Sequence, residues 1–358
     1  MNSIPDTLSR DSNASDLYLG IDVGGTTIKY GVCKNNGEIV ARSSCPTESL
    51  VQPENVIRWG LRFASEAISE IGENPKKLSG VGLAVPGVLD TSTWCLREVV
   101  NLPDWINRPL LELLQTETGL NCAVINDANA AALAEHNHRH LQGKSLALIT
   151  LGTGIGCGLT IAEQELGGDH GCAGEVGHLT IDFTETAPIC NCGRRGCLEA
   201  FAGAPAVVER AKNAFAKGDP ETIPAILRKG DFDTRDLLEA AEQGSSTAQQ
   251  VIADTGIYVG RAIGILGQVI DPAVVLLGGA MTFGGSLNQI GNCFLESIKK
   301  TVRESTLDQV GSQMTIDFAS LGNTAGITGA ALTAIRSCLL YTSPSPRDRT
   351  RSRMPSSA

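Results

Sequence analysis

Two stretches of this chain share one pattern. LYLGIDVGGTTIKYGVCK (17–34) and SLALITLGTGIGCGLTI (145–161) each run from an apolar strand through a glycine–threonine turn into a second strand. Each then turns again into a third strand, EIVARSS after the NNG turn in the first copy and EQEL in the second. A strand–glycine turn–strand–hairpin–strand unit that occurs twice predicts a duplicated α/β domain, with a ligand cleft between the halves and both glycine turns pointing into it. A chance likeness of two glycine-rich turns is the other reading.

The segments around these copies fit a layered α/β chain. Val56, Ile57, Leu61, Phe63, Ala64, Ala67, Ile68 and Ile71 recur at helical spacing and predict a helix over 54–71. LSGVGLAVPG reads as a buried strand ending in a Pro-Gly loop. A helix over 108–118, the strand CAVIND and an alanine-rich helix from Ala128 follow. Residues 204–265 read as mostly helical with RKGDFDTRD as a polar insertion, DPAVVLLGGAM as a strand ending in glycines, and 324–339 as a last helix.

Composition narrows the function classes. Of 358 residues 42 % are hydrophobic and 19 % charged, a globular balance, and the net charge of −10 argues against general nucleic-acid binding. The most apolar run, AIGILGQVIDPAVVLLGGAM, is interrupted by Gln268, Asp271 and Pro272, so no membrane span is expected. The polar N-terminus lacks the apolar core of a secretory signal, and eleven cysteines spread through such a chain read as reduced thiols of a cytoplasmic protein, some of them binding metal. The Ser-, Pro- and Arg-rich end, YTSPSPRDRTRSRMPSSA, cannot build a core and looks like translated vector or adapter sequence. A natural basic tail is the alternative.

DVGGTTIK (22–29) and LGTGIG (151–156) suit anion binding, because consecutive glycines let several backbone N–H groups converge and a threonine hydroxyl adds a donor. Either could also be a plain hairpin turn. Other nucleotide signatures fail: His138 stands where a P-loop ending in Gly143-Lys144-Ser145 needs glycine, and Cys157 stands where a G-x-G-x-x-G begun by Gly152 and Gly154 needs its last glycine.

Asn126 and Asp127 lie at a strand end just before a helix. Asp127 is either an N-cap or a general base, and an ordinary carboxylate suffices for phosphoryl transfer because positioning dominates a loose transition state. Asn126 offers a donor and an acceptor to a sugar hydroxyl.

Cys190, Cys192 and Cys197, spaced C-x-C-x4-C, leave tetrahedral zinc one ligand short, and the nearest upstream candidate is His178 in AGEVGH. A closed Cys3His site would be structural; three free thiols are the alternative. HNHRH (136–140) reads as a solvated helix end rather than a second metal site, and Arg194 and Arg195 as solvent-facing.

With DVGGTTIK, GLAVPGVLD, NLPDW, NDANAAALAE, LGTGIGCG, AGEVGH, CNCGRRGCLE and LLGGA in this order, the chain resembles the ROK family of repressors and sugar kinases, especially its glucokinase-like members, from about Leu17 to Leu339. The resemblance implies an α/β fold of two actin-like (ribonuclease H-like) lobes. A disordered leader (1–16) would precede a smaller lobe (17–125, joined by helix 325–339). A larger lobe with the zinc loop (126–324) and a disordered tail (340–358) would follow.

It also implies ATP-dependent phosphorylation of a hexose 6-hydroxyl, with glucose the first expectation and N-acetylmannosamine, N-acetylglucosamine, fructose or allose the alternative. Asp127 would be the base, and Asn126, Glu175, His178 and Glu199 the sugar ligands, with Gly87 and Asn101 helping. Asp22 would lie near magnesium, with Gly24, Gly25, Thr26, Thr27 and Gly152, Thr153, Gly154, Gly156 around the ATP phosphates and Gly278 and Gly279 by the adenosine. His178, Cys190, Cys192 and Cys197 would hold structural Zn2+. Thr27 stands where kinase members often carry lysine, and VLDTSTWCLREVV varies in such proteins and bears on sugar preference. The family implies a homodimer with no nucleic-acid or membrane partner; a repressor would need a winged helix-turn-helix, and only sixteen residues precede Leu17.

Overall fold

The computed structural model describes residues 16–99, 102–217 and 232–342. The leader up to residue 15, the tail from 343, Asn101 and the start of the RKGDFDTRD insertion lie outside them. Two compact units emerge, one from the residues up to Ala130 together with those from Thr324, the other Ala131–Asn323.

In the first unit β1 (Leu17–Val23), β2 (Thr27–Lys34) and β3 (Ile39–Pro46) form an antiparallel meander. Helix α1 (Pro53–Glu70) leads to β4 (Leu78–Val85), which lies parallel to β1. A small hairpin, β5 (Val88–Asp90) with β6 (Cys95–Glu98), and α2 (Leu110–Thr118) precede β7 (Asn121–Asn126), parallel to β4. The sheet order is β3-β2-β1-β4-β7. All seven residues of β1 are buried, which is why its sequence, Asp22 apart, is apolar without alternation. Trp105 of NLPDW is fully buried, and its indole N–H donates to Val51 O at 2.9 Å.

Helix α3 (Asp127–His138) opens the second half of the chain. In the second unit β8 (Leu146–Leu151), β9 (Ile155–Ile161) and the two-residue β10 (Gln164–Glu165) repeat the meander. After α4 (Glu199–Ala202), α5 (Ala204–Lys217), α6 (Thr234–Glu242) and α7 (Ser246–Ile270) comes β11 (Val274–Gly278), parallel to β8. Helices α8 (Gln289–Ser305) and α9 (Asp308–Gln313) precede β12 (Thr315–Phe318), parallel to β11. The order β10-β9-β8-β11-β12 repeats the first sheet strand for strand. The duplication is therefore real, and chance likeness of the two turns is excluded.

The last helix, α10 (Ala325–Thr342), runs past the expected end at 339 and packs on the first sheet through glycines. A Cβ on Gly20 or Gly82 would sit 2.0 or 1.8 Å from the carbonyl oxygens of Ile327 or Ala330. Any side chain at either strand position would push α10 off the sheet.

Two local expectations need correction, and one helix is added. The end of the RKGDFDTRD insertion is the first turn of α6, where the Asp233 side chain accepts from Arg235 N and Asp236 N in a capping box. Helix α8, unanticipated above, buries Ile290, Phe294, Leu295, Ile298 and Val302 along one stripe. His136 is not solvated: it is buried, with Nε2 3.0 Å from Lys144 O, and only His138 and His140 are exposed.

Candidate active site

The first glycine turn links β1 to β2. Gly24 N–H donates to Thr27 O at 3.0 Å, while Thr47 engages two of the turn's carbonyls, its N–H on Thr26 O (3.0 Å) and its hydroxyl on Gly24 O (2.7 Å). The N–H groups of Gly25 and Thr26, at the exposed crest, keep no partner among the described residues and are free to meet an anion.

The four-residue turn fixes a register in which Asp22 stands opposite Lys29. Lys29 Nζ lies 3.1 Å from Asp22 Oδ2, and the buried Asp22 carboxylate rests on Gly326, where a Cβ would come within 2.4 Å of it. Lys29 was given no role on sequence grounds. Its signal was available in the turn length, which determines cross-strand partners.

Asn126 and Asp127 divide their tasks at the start of α3. Asn126 Oδ1 accepts Ala128 N–H at 2.9 Å and Asn129 N–H at 3.2 Å, so Asn126 is the cap. Its amide nitrogen donates to Gly87 O at 3.0 Å, and Gly87 takes φ +85°. The acceptor that the sequence offered to a ligand is therefore used by the helix, and one amide N–H remains. Asp127 Oδ1 accepts only a short local bond from Ala128 N–H, 2.8 Å. Burial pushes the Asp127 carboxyl up to about 6, the Asp22 charge adds to the rise, and Lys29 opposes it.

In the second unit the glycine turn between β8 and β9 repeats the design. Gly152 N–H donates to Gly154 O at 3.1 Å, Gly152 O accepts Ala204 N–H at 2.8 Å, and Thr153 and Gly154 form the exposed crest. Gly279, at φ +89°, follows β11 so closely against this turn that a Cβ would lie 2.3 Å from Leu151 O. Gly278 ends β11 beside it.

Glu175 and His178 bracket one helical turn, with His178 N–H on Glu175 O at 3.0 Å. Glu199 begins α4, and its Oε2 accepts Ile155 N–H at 2.9 Å, a contact that sequence reasoning missed and that no spacing announces.

His178, Cys190, Cys192 and Cys197 converge, their four ligand atoms all within 4.8 Å of one another. Cys192 Sγ and Cys197 Sγ are 3.7 Å apart, and Cys190 Sγ is 3.8 Å from His178 Nδ1. Tetrahedral zinc with Zn–S of about 2.3 Å separates its sulfur ligands by about 3.8 Å, so the donor set and spacing fit. Arg194 N–H pulls the Cys192 thiol down to about 6, with neighbouring thiols and the Arg194 guanidinium assisting. Burial pushes Cys190 up to about 11. Arg194 and Arg195 are exposed as expected but not idle: the first faces Cys192, and the second donates to Ala187 O. Gly196, at φ +80°, lets the loop close, since a Cβ there would lie 1.9 Å from Asp182 O.

The class follows from these features: an α/β chain of two actin-like units, each with a glycine turn at the same place in the same strand order. The ROK family model matches residues 18–337, and the chain belongs to the ROK family. It is 33 % identical over 314 residues to a glucokinase of Halalkalibacterium halodurans, covering 87 % of this chain and 93 % of that one. A putative xylose repressor of a Caldicellulosiruptor species is 28 % identical, over 91 % of this chain and 79 % of the repressor. The solved ROK glucokinase of Streptomyces griseus, in complex with glucose and AMPPNP, superposes with a TM-score of 0.67 at 30 % identity, covering 88 % of this chain and 98 % of that one.

Proposed function

We propose that this chain is an ATP-dependent hexose kinase that converts glucose to glucose 6-phosphate. The observation that carries the reading is the division of labour at α3: Asn126 caps the helix, so the half-buried Asp127 carboxylate is left for proton transfer. A kinase needs that carboxylate, whereas a repressor only has to bind its sugar. The repressor relative therefore does not displace the kinase reading.

In this mechanism Asp127 accepts the proton of the 6-hydroxyl as its oxygen bonds to the γ-phosphorus and the bond to ADP breaks. The products are ADP, sugar 6-phosphate and a proton held on Asp127. Asn126 donates its remaining amide N–H to a sugar hydroxyl, Glu175, His178 and Glu199 orient the others, and Gly87 flanks them; the helping role implied for Asn101 falls outside the described residues. The N–H groups at the Gly25–Thr26 and Thr153–Gly154 crests serve the phosphates, Gly24, Thr27, Gly152 and Gly156 shape the two turns that present them, and Gly278 and Gly279 lie beside the adenosine. Magnesium, arriving with the nucleotide near Asp22, would neutralise phosphate charge. Zinc would be held by His178 Nδ1 and the three thiolates in a closed set that supplies position, not chemistry, and leaves His178 Nε2 for the sugar. The ROK glucokinase bound to glucose and AMPPNP supports both ligands.

All eleven cysteines are outside disulfides, and among the described residues no helix is long and apolar enough to cross a membrane. The proposed setting is the cytoplasm, and the proposed state a homodimer without nucleic acid.

Sugar preference is tested by a coupled assay with ATP, magnesium and a panel of glucose, fructose, allose, N-acetylglucosamine and N-acetylmannosamine. Glucose is expected to give the highest kcat/KM by at least about 10-fold, the scale of one or two lost pocket contacts. A higher value for an N-acetylated sugar would move the assignment to that substrate.

A further inference from the structure

Glu199 has two oxygens with two different neighbourhoods. Oε2 accepts Ile155 N–H at 2.9 Å, at the exit of the second glycine turn. Oε1 lies near the thiol of Cys190, 3.9 Å away. The Ile155 peptide is enclosed on its carbonyl side too: a Cβ on Gly177, between Glu175 and His178, would sit 2.2 Å from Ile155 O. Ala204, directly after α4, donates to Gly152 O. The phosphate turn is thus clasped by the two segments that carry Glu175, His178 and Glu199.

A carboxylate that accepts a charge-assisted backbone N–H bond at one oxygen is restrained in where its other oxygen can point. Whatever binds the other oxygen then reports on the turn, and the turn reports on it. We propose that Glu199 couples the hexose and nucleotide sites. One oxygen holds the Ile155 N–H and with it the second glycine turn, the other takes a hexose hydroxyl, and each ligand tightens the other. This rests on the kinase reading above. Linkage requires the effect to be reciprocal, so the factor by which nucleotide lowers the hexose Kd equals the factor by which hexose lowers the nucleotide Kd.

The turn itself offers a test that leaves Glu199 in place. A Cβ on Gly154 would lie 2.8 Å from Glu199 Oε2, the far end of a flexible side chain, whereas a Cβ on Gly152 would meet nothing nearer than Gly154 O at 3.8 Å. Neither glycine has a positive φ, so alanine fits the backbone at both.

Calorimetric titration of the zinc-loaded protein with glucose, with and without AMPPNP and magnesium, is expected to show coupling of about 10-fold in the wild type. Gly154→Ala should raise the nucleotide-free glucose Kd several-fold and cut the coupling to less than about 2-fold. Gly152→Ala should leave that Kd within about 2-fold. Glu199→Gln should also raise the sugar-free AMPPNP Kd about 5-fold, a change that a residue touching sugar alone would not cause.

The proposal is overturned if Gly154→Ala keeps wild-type glucose affinity and coupling. Equal shifts in the two glycine variants would overturn it too, as would an unchanged AMPPNP Kd in Glu199→Gln. Wild-type protein that turns over no hexose defeats the kinase reading itself, whereas an active kinase with any of those three results defeats the coupling alone.

Discussion

Replacing Asp127 by asparagine is expected to lower kcat by about 10²- to 10⁴-fold while the glucose Kd changes less than about 3-fold. The split follows from the geometry: Asp127 makes one short local bond to Ala128 N–H, and the cap of α3 belongs to Asn126. Asparagine preserves the shape but cannot accept the hydroxyl proton.

The wild-type pH profile should show a matching acid limb. With its carboxyl raised to about 6, Asp127 loses the ionised form below that pH, and kcat/KM should fall about tenfold per unit there. In Asp127→Asn this limb should disappear from the residual rate.

Stability runs the other way. The folded protein holds a proton on Asp127 over a range, from about 4 to 6, in which the unfolded chain has released it. The folded state therefore binds more protons than the unfolded state, and this group's contribution favours folding less as pH rises through that window. Asp127→Asn should accordingly be more resistant to urea than wild type at pH 8. Equal midpoints at pH 8 would contradict the raised carboxyl.

The second large effect concerns the loop that ends in Glu199. Cys197→Ser, or removal of metal with a strong chelator, is expected to lower Tm by more than about 10 °C and raise the glucose KM by more than about 10-fold. Cys197 is completely buried between Gly196 and Leu198, and its sulfur is 3.7 Å from Cys192 Sγ. Without metal, a group of thiols in which burial raises Cys190 and Cys197 has no ion to hold them as thiolates. The His178 ring and the start of α4 would then lose their common anchor. Elemental analysis should find about one zinc per chain in untreated protein. Zinc-free protein of unchanged Tm and KM would remove the metal from the account.

Much of the frame was legible because few alternatives exist for its strongest signals. A strand such as β1, apolar but for Asp22, followed by Gly24-Gly25 has to turn, and the same figure at Gly152–Gly154 implied the second copy; the matching strand orders bear this out. The cysteine cluster was legible for a similar reason, since C-x-C-x4-C and one nearby histidine leave few ways to build a four-ligand site, and the four ligand atoms do converge.

What escaped was decided by neighbours far away in sequence. Asn126 and Asp127 are equally good caps by residue type, and only the local path of the chain assigns the task to Asn126. His136 carries no pattern that distinguishes a buried ring on Lys144 O from a solvated one. Glu199 and Ile155 are 44 positions apart, and no periodicity joins a loop residue to a strand N–H at that distance. Helix α8 is a different case: Ile290, Phe294, Ile298 and Val302 recur at every fourth position, and Asn288 caps the start. Its signal is present in the sequence.

The central claim is that Asp127 and the two glycine turns transfer the γ-phosphoryl group of ATP to a sugar 6-hydroxyl. Phosphorus NMR of the purified protein with ATP, magnesium and glucose, run beside 6-deoxyglucose, tests it directly. The account predicts glucose 6-phosphate and ADP in equal amounts from glucose and no phosphorylated sugar from 6-deoxyglucose. Intact ATP with every hexose, or a phosphate ester formed from 6-deoxyglucose, would contradict it.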